Sequence, residues 1–289
     1  MPRSRSKKKT ALPRRRVAVQ DEDGWTHITN TRQVTSTATA TATSTTTDQL
    51  LPAEIPDGLT LSQLRAQFES HRQKWLASQT WKTITSTNID KAINKDITID
   101  KFVCIALGSP SGFLRGGLID RRAVSLFQLA AFTSLIEYLS RNSNSNNTRH
   151  HDEDEHEDDA ADDDDTKRSR RAYRCYAQDP VFNRLDVELL ASLGVEVVQR
   201  EAFGMVDEQT VLFGPGMERR HLVELLARRP VVFFGGPLEG PSTSSSTTTS
   251  DVIEDFKEKH QSVRLPDFEP NTAPFWGTSI FWRDSHPAI

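Results

Sequence analysis

Cysteine is nearly absent from this chain of 289 residues, Cys104 and Cys175 being the only two. That count excludes a disulfide-stapled scaffold. Both residues lie in apolar strand-like runs, so they read as buried thiols in a reducing compartment. Long hydrophobic runs are also lacking. No stretch reads as the roughly 20 apolar residues of a bilayer-crossing helix, and the basic N-terminus lacks the apolar region of a signal peptide. No membrane association is expected, and the protein should be intracellular. Hydrophobic residues make up only 36% of the sequence and aromatics 8%, which suits one domain with unstructured attachments better than two full domains.

What is present is strongly segregated. The formal net charge is -4, yet Arg3 to Arg16 is purely basic and Asp152 to Asp165 almost purely acidic, so overall charge predicts no partner. Lys7-Lys8-Lys9 and Arg14-Arg15-Arg16, separated by a spacer containing Pro13, have the form of a bipartite nuclear-import signal. They would equally suit RNA, an acidic surface or a solvated tail. An import receptor is the expected partner of these clusters, with nuclear as well as cytoplasmic residence. No specific nucleic-acid binding is expected. Asp21-Glu22-Asp23-Gly24-Trp25 places a lone Trp in polar sequence, and the Thr/Ser/Ala run from Thr35 to Thr47 lacks the apolar periodicity to offset its ordering entropy. Residues 1–58 therefore read as a disordered tail and 59–289 as the folded domain.

Within the domain, Thr60 and Gln63 have capping-box spacing ahead of Leu61, Leu64, Phe68, Trp75 and Leu76, which predicts a helix. The segment 84–99 is ambiguous. Phe102 to Leu107 is a short apolar run of the kind found in strands buried on both faces. It is followed by a glycine-containing loop, Gly108-Ser109-Pro110-Ser111-Gly112, and a helix from about Asp120 to Leu139. Residues 141–171 form a hydrophilic insertion whose charge blocks repel too strongly to fold, and 241–250 is a second, Ser/Thr-rich one. The stretch Tyr176 to Gly204 gives the fullest reading. Asp179 as N-cap and Pro180 at the first helical position open a helix with Phe182, Leu185, Leu189 and Leu193 on one stripe; Gly194 closes it, and Val195 to Val198 follows as a strand. Further strands are predicted at Gln209 to Phe213 and Val231 to Phe234, with a helix between them from Met217 to Arg229. A short helix is read at Asp251 to His260, and Phe275 to Trp282 reads as a final strand or anchoring tail. The alternation predicts an α/β fold, a Rossmann-like, doubly wound and mostly parallel sheet with flanking helices.

In such sheets ligands bind beyond the carboxyl ends of the strands, and that edge carries Gly108, Ser109, Gln178, Asp179, Glu201, Gly214 and Gly235. Asp179 would hold a nucleotide-like ligand while amides of the Gly108 loop take its anionic part. Gly108, Ser109, Asp179, Glu201 and Gly214 are thus the ligand-binding candidates. No catalytic set is evident and no metal site is assigned. Taken singly, Asp179 is already employed as an N-cap and Glu201 would pair with an arginine. Geometry separates the readings: convergence of both carboxylates on a concave site with the Gly108 amides open would favour a ligand.

The run FVCIALGS, the helix with Ser125-Leu126-Phe127-Gln128-Leu129-Ala130, Asp179-Pro180-Val181-Phe182, Leu193-Gly194, and Glu201 with Gly204 together resemble the sensitivity-to-red-light-reduced (SRR-like) family. The resemblance covers about Lys101 to Glu239. The ending Thr278-Ser279-Ile280-Phe281-Trp282 and the tail residues Asp23-Gly24-Trp25 are similar to further stretches of fungal-type members. It implies a regulatory role through protein partners, associated with light and circadian signalling in plants and with haem metabolism in animals and fungi. No cofactor is assigned: haem, from the resemblance, and a nucleotide-like molecule, from the sheet edge, are the two candidates. Members usually carry Asn where Arg200 stands and Pro-His-Cys where this chain has Pro215-Gly216-Met217, so a haem or metal role resting on that His and Cys lacks its ligands here. The expected function is a regulatory protein that senses a small anionic or nucleotide-like ligand. The runner-up is a transferase or hydrolase with Glu201 or Asp179 as its acid or base.

Overall fold

Alternate residues along each central strand point to opposite faces, and the burial pattern follows that rule. Phe102 and Cys104 enter one core cluster while Val103 and Ile105 enter another, and Phe213 and Leu212 divide in the same way. The centre of the sheet is thus buried on both faces, which explains why Phe102–Ile105, Val211–Phe213 and Val232–Phe234 are continuous apolar runs. The computed structural model describes residues 16–20, 26–30, 51–87, 98–114, 120–145, 173–238 and 247–283. The acidic insertion beyond 145, the import-type clusters apart from Arg16, and residues 241–246 lie outside the described residues.

The N-terminal stretch is a unit of its own, in which β1 (Arg16–Gln20) pairs antiparallel with β2 (Thr26–Asn30). The main unit begins at Leu50, and its first helix is α1 (Leu61–Ala77), whose N-cap Thr60 and Gln63 form the predicted capping box. Next is α2 (Gln79–Ser86), which resolves part of the ambiguous segment as helix. Then follow β3 (Lys101–Ile105), α3 (Arg122–Ser145), β4 (Arg174–Gln178), α4 (Arg184–Ser192), β5 (Glu196–Val197) and α5 (Ala202–Met205). The chain continues through β6 (Thr210–Gly214), α6 (Arg219–Leu226), β7 (Val232–Gly235), α7 (Thr247–Glu258), β8 (His260–Arg264) and β9 (Ser279–Arg283).

The seven strands of the main sheet run in the order β5-β4-β3-β6-β7-β9-β8. The first five are parallel, while β9 is antiparallel to both of its neighbours. Successive crossovers move outward from β3 to β5, then jump back across to β6, so the direction of winding reverses between β3 and β6. That is the topological switch point of a doubly wound sheet. Helices α1 to α4 cover one face and α5 to α7 the other. Phe132 of α3 and, on the sheet beneath it, Phe213 and Phe234 follow one another with ring centres at 5.3 and 4.7 Å. Each is essentially inaccessible to water, and a phenylalanine so buried contributes about 1.5–3 kcal/mol. A window of α3, Arg122–Arg141, is long and apolar enough to cross a bilayer, contrary to the expectation that no run qualifies; it is 67% buried inside the domain, as a core helix should be.

A second expectation is overturned at the start of α4. Asp179 is not the cap of α4 and Pro180 is not its first residue: the helix starts at Arg184, and Asn183 is the N-cap, accepting from the amides of Leu185 and Asp186. Asp186 returns the bond to the Asn183 amide, completing a capping box. Asp179 instead accepts from the Val181 amide two residues on, closing a turn that ends before the helix begins. The close of α4 is as predicted, with Gly194 at φ +74°. Strand β8 had no counterpart in the sequence reading, and the helix read from Asp251 starts at Thr247.

Candidate functional site

The carboxyl ends of β3 and β4 are joined by polar contacts built on short side chains. Strand β3 ends in an abrupt turn, with Ala106 at φ 61° and Gly108 at φ 72°. The left-handed region costs a residue with a Cβ about 1–2 kcal/mol, so surrounding contacts must hold Ala106 there. The turn aims the Gly108 amide at Asp179, whose Oδ2 accepts at 2.7 Å. One step further, the Ser109 hydroxyl donates to Asp186 Oδ2 at 2.6 Å and the Ser111 amide to Asp186 Oδ1 at 2.9 Å. The Ser109 oxygen also accepts from the Gly112 amide, and Asn183 Nδ2 donates to the Ser111 oxygen at 2.8 Å. The loop after β3 is thereby pinned to the start of α4.

Gly108, Ser109 and Asp179 are brought together as the sequence reading places them, while Glu201 stands apart. Its side chain is at the surface and accepts from the amides of Gln199 and Arg200 in its own turn. The two carboxylates therefore do not converge, and the Gly108 amide is directed to Asp179. Gly214 ends β6 directly across from Gly235, and a Cβ on it would overlap the Met217 methyl group. Met217 is nearly buried, and the 214–217 turn passes so close to β3 that a Cβ on Gly216 would lie 3.0 Å from the Ala106 carbonyl oxygen. The protein's own turn thus lies over the switch point. Gln178 lends its side-chain oxygen to the Ala202 amide at the start of α5.

Burial sets the electrostatics. It pushes the Asp179 carboxyl above its ordinary value, against the pull of the Val181 and Gly108 amides, and the neighbouring Asp186 adds to the rise. Asp186 is fully buried, and burial raises it too despite its hydroxyl and amide donors. Glu201 is lowered by the Arg200 amide first of all. A half-buried, raised carboxylate at a sheet edge can hold a hydrogen-bond donor; its local field opposes an anion.

Reasoning from the sequence missed Ser111, Asn183 and Asp186, although Asn-x-x-Asp is itself capping-box spacing. It also missed an apolar rim on the same edge. Phe113, Leu114 and Trp276 are 40%, 42% and 70% exposed. The Arg122 guanidinium lies 4.1 Å from the centre of the Phe113 ring, and Gln128 Nε2 donates to the Pro274 carbonyl at 2.9 Å, so the first two turns of α3 tie both parts of this rim together. No periodicity marks a single exposed Trp in a turn.

The residues present do not fit a haem iron at the position the resemblance implies, where Gly216 offers no donor and the Met217 side chain packs against Gly214. Among the described residues no group of three His, Cys, Asp or Glu side chains is placed to hold a metal ion. The family model of the SRR1 domain matches residues 64–282, well over half of the chain. Searches of the curated proteins and of the solved structures return no match.

Proposed function

The chain belongs to the SRR1 domain family, and from that premise we propose that it is a regulatory protein acting through protein partners that dock on the carboxyl edge of its sheet. One observation carries the reading: the polar groups of that edge are directed at one another, whereas Phe113, Leu114 and Trp276 are turned to solvent beside them. Exposed aromatic side chains with little conformational entropy to lose are the commonest anchors of protein interfaces. Nuclear residence through Lys7–Lys9 and Arg14–Arg16, and a share in circadian or haem-related regulation, belong to the same proposal.

A second reading, a domain that senses a nucleotide-like ligand, draws on the strained Ala106 and the raised Asp179 at the end of β4. The position of Asp179 suits a ribose hydroxyl better than a phosphate, since the Gly108 amide already serves the carboxylate. A transferase or hydrolase would need a second convergent group, and Glu201 does not supply it.

The test uses the full chain with Leu114→Ser and Trp276→Ser combined. Melting temperature should stay within a few degrees of wild type, while a discrete set of proteins recovered by proximity labelling with wild type should be lost. Recovery of the same set would overturn the docking reading. A thermal-shift series with nucleotides, S-adenosyl compounds and haem addresses the second reading, which gains if stabilisation by one of them vanishes in Asp179→Asn. Neutralising the two basic clusters should move a tagged chain towards the cytoplasm.

A further inference from the structure

We propose that His260 is a proton-released latch, which holds the outer strand β8 and the end of α7 against the sheet when neutral and lets them go when charged. His260 is the first residue of β8 and is 8% exposed. Its Nδ1 lies 2.7 Å from the Phe256 carbonyl oxygen, in the last turn of α7, and its Nε2 lies 3.1 Å from the Pro230 carbonyl oxygen, just before β7. The ring thus spans three elements. Its own face stacks on the Phe256 ring, with centroids 3.8 Å apart and planes 21° from parallel.

Two carbonyls opposite two ring nitrogens set up a competition. A neutral imidazole donates to one of them only, and a charged one would donate to both. Against that gain stands the removal of a cation from water, with Arg283 as its register partner on β9. The charged groups described around the slot are three cations and two carboxylates, which leaves one net positive charge beside the ring. Asp255 on α7 is paired with Lys259. Arg229, before β7, and Arg283 share Glu208, and Arg283 also donates to the Arg229 carbonyl. Among the described residues Asp255 attracts an imidazolium and Arg283 repels it, and burial outweighs both, holding His260 below the ordinary imidazole value.

The sign follows. A base held low in the closed state and free to protonate in the open one keeps the latch shut above the ordinary value, and weakens it as pH falls through and below about 6.5. Opening would bare the outer edge of β9, whose Ile280, Phe281 and Trp282 are now buried, as a template for another strand. The latch lies at the far side of the sheet from β4 and does not depend on the docking reading.

Hydrogen exchange of the full chain at pH 7.5 and 5.5, each corrected for the intrinsic rate, tests the latch. Opening of the β8 amides should rise several-fold, with a ceiling of about tenfold one unit below the ordinary imidazole value, while β3 and β6 stay protected. In His260→Gln the opening should not change with pH. A constant wild-type opening, or the same rise in the Gln variant, would overturn the proposal. Should the variant not fold, the ring titration of wild-type His260 by NMR decides: a midpoint at or above about 6.5 refutes the latch and one clearly below it supports it.

Discussion

Asp186 is the side chain on which the β3 loop and the start of α4 both depend, and its replacement puts the description of the edge at risk. It accepts from the Ser109 hydroxyl, the Ser111 amide and the Asn183 amide. Alanine leaves both backbone amides without their acceptor while the hydroxyl rotates elsewhere; at about 1–3 kcal/mol per buried orphan, the loss is about 2–6 kcal/mol. For a domain of this size that is a fall of about 4–24 °C in Tm. Asparagine keeps one oxygen, enough for the Ser109 and Asn183 donors, and turns its NH2 towards the Ser111 amide. One orphan remains and a buried charge disappears, so Asp186→Asn should cost about 1–2 kcal/mol. The pH dependence gives a second check. With its folded pKa raised, Asp186 contributes stability that is full below the unfolded carboxyl value and is lost as pH rises through the folded one, so Asp186→Asn should flatten the stability profile just above the ordinary carboxylate range. Circular dichroism melts and urea titrations from pH 4 to 8 measure both effects. An Asp186→Ala protein melting within a degree of wild type would refute the polar network as the element that orders this edge.

Three further outcomes are expected. Asp179→Asn should retain one of the two amide bonds and lose less stability than Asp179→Ala, which orphans the Gly108 amide; urea unfolding of the pair should show that order, and equal losses would deny the Gly108 contact a role. Both thiols should resist a thiol-disulfide reagent in the native chain and react after unfolding, since burial raises Cys104 well above the ordinary thiol and Cys175 to about 11; rapid native labelling of either would contradict its placement. Thr60→Ala should cost about 0.5–2 kcal/mol through the lost capping box and Thr60→Asn far less, as read by thermal melts.

How much of this was legible in the sequence follows from the range of each signal. Strands β3, β6 and β7 were readable because a strand buried on both faces is a nearly continuous apolar run, and Thr60 and Gly194 because a cap acts within one helical turn. The start of α4 was misread because two local signals compete between Asp179 and Asp186. Asp-Pro satisfies the rules for a helix start, but the Asp179 carboxylate is drawn to the Gly108 amide 71 positions earlier, which nothing local announces. Strand β8 was missed for a related reason. Its outward residues are polar, and its pairing with β9 is decided by an edge that only the assembled sheet provides. The candidate site was half legible: fold topology predicted the edge and its glycines, while the partners of Asp179 and the isolation of Glu201 depend on contacts between distant loops.

Ala106 is where fold and function make different demands. It holds φ 61° at the end of β3, beside the switch point, and its carbonyl oxygen lies only 3.0 Å from where a Cβ on Gly216 would stand. Glycine at 106 would relieve a strain of about 1–2 kcal/mol, offset by about 0.4–1 kcal/mol of extra freedom in the unfolded chain, so Ala106→Gly should be neutral or stabilising by up to about 1.6 kcal/mol. If the strained turn is only the shape that brings Gly108 to Asp179, partner recovery should be unchanged. If the turn must be rigid for docking or ligand capture, the variant should be stable and yet weak in binding, because glycine lets the loop sample other conformations. A loss of stability above about 1 kcal/mol would mean that the Ala106 methyl packs into the α5–α6 side of the core strongly enough to outweigh its backbone, and the strain would then be a by-product of packing rather than a mark of the site.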